Sequence, residues 1–133
     1  MADTLKERPV FRNIHVSQIV AYRLPPAGIV SILHRVSGAA LFLFGIPLLL
    51  AAVGASLASA ESFGVLQAWL ANPLVKLVLL GFAWAYIHHF LAGIRFLLLD
   101  VHKGIDLPAA RQSSVVVIVA AIALTLIVGV RLW

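Results

Sequence analysis

Cysteine is absent from this chain. Disulfides, thiolate-held iron–sulfur clusters and cysteine nucleophiles are therefore excluded within it. Histidine, with 5 copies, is the one common transition-metal ligand present in quantity. Charge is scarce as well: Asp, Glu, Lys and Arg make up 11% of 133 residues, with Asp+Glu at 5. Paired carboxylates for acid–base chemistry, a nucleotide-binding glycine loop and a nucleophile triad are all missing. What the sequence has instead is apolar residues, 62% of the total, with a mean hydropathy of +1.06. Soluble domains hold about 45–50%, and a soluble domain needs more polar surface than this chain offers. The net charge is +5, but no basic run interleaved with aromatics supports nucleic-acid binding. The basic residues flank apolar stretches, which is a topological signal.

A bilayer core of about 30 Å takes roughly 20 apolar helical residues. Three stretches qualify, at residues 29–57, 74–99 and 115–132. In hydrocarbon their backbone must bond internally, so all three are predicted to be helices. The fold class is all-α, an integral membrane protein with three transmembrane helices forming one anchor domain over residues 1–133, with a cytoplasmic or interfacial segment at 1–28. Pro25-Pro26 punctuates the start of the first span, and Pro47 inside it predicts a kink. Asn72-Pro73 reads as a cap followed by a first-turn proline. Ser113 and Ser114 are candidate caps for the third span.

Lys6, Arg8, Arg12 and Arg23 precede the first span, residues 58–72 carry no Lys or Arg, and the second loop holds Lys103 and Arg111. The positive-inside rule then puts the N-terminus in the cytoplasm and the C-terminus outside. Residues 1–9 have neither the apolar core of a signal peptide nor the composition of a transit peptide, which favours a bacterial inner membrane. Residues 11–22 and 61–70 read as interfacial segments, the latter with Phe63, Leu66 and Leu70 at helical spacing and Trp69 at headgroup level. No inverted repeat of the transporter kind is visible.

Ionisable residues inside spans are costly and mark function. Here they concentrate in spans one and two, leaving span three as a packing helix. Span one reads Ser31-Ile32-Leu33-His34-Arg35-Val36-Ser37-Gly38. Ser31, His34 and Arg35 share a face. Arg35 either snorkels to the headgroups or joins Ser31 in binding a carbonyl or carboxylate. Span two reads Tyr86-Ile87-His88-His89-Phe90-Leu91-Ala92-Gly93-Ile94-Arg95. The adjacent histidines point apart. His89 and Gly93 share one face, where a flat group finds room. His89 is either an axial haem ligand or a bond to a neighbouring helix. His88, Ala92 and Arg95 share a second face, and Arg95 has Asp100, a haem propionate or lipid as candidate partners. The spans run in opposite directions, so their polar clusters meet in one half of the membrane. His15 and His102 read as surface histidines.

At these residues the chain resembles the cytochrome b556 membrane-anchor family of succinate dehydrogenase. The resemblance spans nearly the whole length. It rests on Arg8-Pro9, on the Ser31 to Gly38 motif, and on His89 ahead of Gly93-Ile94-Arg95 and Asp100. It implies that His89 is an axial ligand of haem b, shared with a second small membrane subunit that supplies the other ligand. It implies that Ser31 and Arg35 help bind ubiquinone, and that His34, Arg35 and Arg95 lie near the haem propionates. His88 receives no role. Where many relatives carry a histidine after Gly-Ile-Arg, this chain has Phe96. The implied partners are an iron–sulfur subunit, a flavoprotein subunit and the bilayer, and the chain is not an enzyme alone. A haem-free anchor of the same family and an unrelated membrane scaffold or transporter subunit are the competing readings.

Overall fold

A computed structural model describes residues 15–133, so the expectations for Lys6, Arg8, Arg12 and residues 11–14 lie outside the described residues. These residues are all-helical, without strands. A short helix α1 (Val16–Ala21) precedes α2 (Pro26–Ala40). A π-helical stretch, Leu41–Gly45, links α2 to α3 (Ile46–Ala58) without a break. Then come α4 (Ala60–Ala71), α5 (Pro73–Asp100) and α6 (Leu107–Leu132). Three continuous helical runs are long and apolar enough to cross a membrane: Pro26–Ala58, α5 and α6.

Local chemistry explains the ends. Pro26 sits in the first turn of α2, after an extended Pro25, where its missing N–H costs nothing. Pro47 has no N–H for the Leu43 carbonyl, and its ring crowds that carbonyl. The chain answers with the wide turn just upstream, in which Ile46 N–H bonds Leu41 O, five residues back. Asn72 caps α5 as its sequence suggests, its side chain accepting from Leu74 N–H at 2.9 Å. Ser59 caps α4 in a reciprocal box with Ser62.

The start of α6 differs from the expected caps. The helix begins at Leu107, with Asp106 at the cap position and Pro108 in the first turn. Ser113 and Ser114 therefore lie inside it. Arg111 and Gln112, one turn in, hide this start from hydropathy, although the helix runs through them. The α5–α6 turn closes α5 with two bonds, His102 N–H to Leu99 O and Lys103 N–H to Leu98 O, both 2.9 Å. That pattern needs a left-handed residue after the cap, commonly glycine. Here it is His102, at φ 59.

The three long helices meet through small residues. Val30, Ala92 and Val117 form a buried cluster, flanked by Leu91, Phe96 and Ile118, and Ala85 and Ala121 are buried beside it. Small side chains let backbones approach closely where lipid supplies no hydrophobic drive between helices. Most large apolar side chains point outward instead, among them Phe42, Leu57 and Val130. On a membrane protein such a surface faces acyl chains or neighbouring subunits.

Candidate functional site

The centre of the site is a contact between α2 and α5. The rings of His34 and His89 stack nearly parallel, with centroids 4.1 Å apart and planes 3° from coplanar. His89 Nδ1 lies 3.0 Å from the backbone carbonyl of His34. A carbonyl only accepts, so Nδ1 carries the proton and donates it. The other nitrogen, Nε2, is then the lone-pair nitrogen, and it makes no hydrogen bond to the described residues. Ser37, buried at 2% exposure, completes a triangle. Its hydroxyl donates to the same His34 carbonyl at 3.0 Å, and its oxygen sits 3.3 Å from His89 Nδ1.

Two glycines make the contact possible. A Cβ at Gly38 would stand 2.7 Å from His89 Cε1, so that ring is seated directly on the α2 backbone. Gly93 faces His34 rather than His89: a Cβ there would lie 3.7 Å from His34 Nε2. The flat group expected against Gly93 is thus the His34 ring of this chain. The glycine that seats His89 is Gly38, whose role sequence reasoning missed. The available signal was the small pair Ser37-Gly38 one turn beyond His34. Phe96 tilts against His34, with centroids 5.1 Å apart, so position 96 is an apolar wall beside that ring.

The other predicted residues separate into three places. Ser31 is half-buried and Arg35 exposed on α2, one turn apart. His88 is buried at 1% exposure against Trp84, whose ring lies 5.2 Å away. Neither His88 nitrogen has a hydrogen-bond partner. Arg95 turns to α6, donating from Nε to Ser113 Oγ at 3.0 Å and from Nη2 to Ala110 O at 3.3 Å. It follows the His88 and Ala92 face of α5, away from the face that carries His89. The suggested pairing with Asp100 does not form: Asp100 is exposed at the end of α5. Ser113, expected as a cap, is instead the acceptor that holds Arg95.

Chemically, the α2–α5 contact offers one aligned imidazole nitrogen. Among the described residues no group of three or more His, Asp or Glu side chains could hold a metal by itself.

Three bundled helices, each long and apolar enough to cross a membrane, define a multi-pass membrane protein. Residues 4–128 match the model of the succinate dehydrogenase/fumarate reductase transmembrane subunit family. The chain is 36% identical over 128 residues to a succinate dehydrogenase cytochrome b556 subunit of Coxiella burnetii (strain RSA 493 / Nine Mile phase I), covering 96% of this chain and 98% of that one. It is 36% identical over 132 residues to the subunit of the same name in Paracoccus denitrificans, covering 96% and 94%. The chain belongs to the succinate dehydrogenase/fumarate reductase transmembrane subunit family, as a multi-pass membrane anchor of succinate dehydrogenase. That membership replaces the reading as an unrelated scaffold or transporter subunit.

Proposed function

We propose that this chain is the haem b- and quinone-binding anchor of a succinate:quinone oxidoreductase in a bacterial inner membrane, with its N-terminus cytoplasmic and its C-terminus outside. The observation that carries this is the His89 Nδ1–H bond to the His34 carbonyl. Metal-ligating histidines commonly donate their second ring N–H in this way, which fixes the tautomer and makes the ligating nitrogen more basic. The glycine cradle at Gly38 holds the ring at that orientation. His89 would hold the haem iron through Nε2, and a second small membrane subunit would supply the other ligand. His34 and Arg35 would pair with the haem propionates.

When bound, the haem supplies a one-electron redox centre whose potential is tuned by burial and by hydrogen bonds around its ligands. The chain's own part is positional. Ser31 and Arg35, adjacent on an open face of α2, orient a ubiquinone carbonyl by hydrogen bonding. The guanidinium offsets negative charge as that oxygen is reduced. Electrons come from an iron–sulfur subunit fed by a flavoprotein subunit, since this chain has no cysteine to hold a cluster. The openness of the Ser31–Arg35 face matches a site completed by those partners.

The test is a dithionite-reduced-minus-oxidised visible spectrum of the purified complex, with His89 intact and with His89→Ala. A b-type band that disappears with His89 is expected. A complex that turns over without any band would leave a haem-free anchor as the function.

A further inference from the structure

A cleft of about 490 Å³ opens between α5 and α6, apart from the His34–His89 contact. Arg95, Lys103, Gln112 and Ser113 line it, with apolar wall from residues such as Leu98 and Val116. No carboxylate among the described residues lines it. Arg95 is 6% exposed as a residue, and its guanidinium is bonded only to neutral acceptors, Ser113 Oγ and the Ala110 carbonyl. Its remaining nitrogen, Nη1, makes no such bond and is not sealed from the surface. A cation buried at membrane depth without a counter-charge is expensive, so its position argues for an anion that reaches it.

Lys103 provides a second, independent pointer. The left-handed His102 turns the chain back so that Lys103 N–H bonds Leu98 O. That turn brings Lys103 to the wall of the same cleft. Two cations with different charge geometry, a planar fork and a point charge, then stand over an apolar furrow. The fork suits two phosphate oxygens at once, and the ammonium adds charge without fixed geometry. Basic recesses between transmembrane helices are suited to anionic lipid headgroups.

We propose that the α5–α6 cleft binds an anionic phospholipid, its phosphate between Arg95 and Lys103 and an acyl chain along the Leu98–Val116 wall. The site is independent of the haem reading, because Arg95 leaves the His89 face. The test uses the whole complex, delipidated in mild detergent and titrated with phosphatidylglycerol or phosphatidylcholine under native mass spectrometry. Phosphatidylglycerol should be retained in preference to phosphatidylcholine. Lys103→Gln, at an exposed position that leaves the fold intact, should weaken phosphatidylglycerol binding about fivefold, from ~1 kcal/mol per surface cation. Phosphatidylcholine binding should not change. Millimolar inorganic phosphate should not displace the lipid, since it lacks the chain. Phosphatidylglycerol binding should persist in the His89→Ala complex. Equal binding of the two lipids, no effect of Lys103→Gln, displacement by phosphate, or loss of lipid with His89→Ala would each overturn the proposal.

Discussion

Substituting alanine at Gly38 and at Gly93 should have opposite consequences, although both glycines sit in helices beside a histidine ring. At Gly38 the new methyl would stand 2.7 Å from His89 Cε1 and 3.2 Å from Nδ1, where ordinary contact begins at 3.4 Å. The obstacle is a ring held by a hydrogen bond and a stacked neighbour, so it cannot swing aside freely. Overpacking of this kind costs about 1–3 kcal/mol. Disturbing the His89–His34 bond adds about 0.5–1.5 kcal/mol. Alanine returns about 1 kcal/mol through its better helix propensity. The net loss is about 0.5–3.5 kcal/mol, and His89 Nε2 is displaced with it. At Gly93 the methyl meets His34 Nε2 at 3.7 Å, an ordinary contact, so only the propensity gain of about 1 kcal/mol remains. The assay is paired: haem absorbance per complex, and the thermal midpoint of the purified complex. Gly38→Ala should lose haem and midpoint, while Gly93→Ala keeps both. If Gly38→Ala holds a full haem complement with a midpoint no lower than that of Gly93→Ala, the seating of His89 on the α2 backbone is refuted.

Three further outcomes are expected. Ser37→Ala removes the hydroxyl that shares the His34 carbonyl with His89, at a cost of about 1 kcal/mol; the complex should keep its haem but show a shifted low-spin electron paramagnetic resonance spectrum, and an unchanged spectrum would exclude Ser37 from holding the ring. Arg35→Ala should reduce succinate–quinone reductase activity at least tenfold, in line with ~1.5–3 kcal/mol for a charged hydrogen bond, and should spare succinate oxidation by an artificial acceptor; equal loss of both activities would place Arg35 in assembly instead. His102→Gly relieves a left-handed residue that costs about 1–2 kcal/mol, so the complex should melt at a higher temperature, while a lower midpoint would show that the imidazole itself supports the turn.

Much of this architecture is written in simple patterns. Long apolar runs can only be helices in lipid, so the three spans follow from hydropathy, and Asn72-Pro73 marks a helix start from two residues. The start of α6 was not legible, because Arg111 and Gln112 interrupt the apolar pattern while the helix continues through them. Within the site, the motif around Ser31 to Gly38 and the offset from His89 to Gly93 pointed to the two helices whose histidines stack. Which ring would face which glycine was beyond sequence reach. Helical spacing fixes angles along one helix, but the rotation of α2 against α5 depends on close packing of small residues such as Val30 and Ala92. Arg95 illustrates the same limit: its partner Ser113 sits on a third helix, at a distance no single-helix pattern encodes.

The acceptor that fixes His89 is a main-chain oxygen, which residue 34 supplies whatever its side chain. Replacing His34 removes a stacked ring and leaves the hydrogen bond in place. An alanine scan would therefore record position 34 as tolerant or sensitive for reasons unrelated to the ligand's tautomer. The hydrogen bond that orients the ring is therefore insulated from side-chain changes at residue 34, and is exposed instead to a methyl added at Gly38. A change of side chain at position 34 alters the surroundings of the ring while the acceptor of its Nδ1–H stays in place.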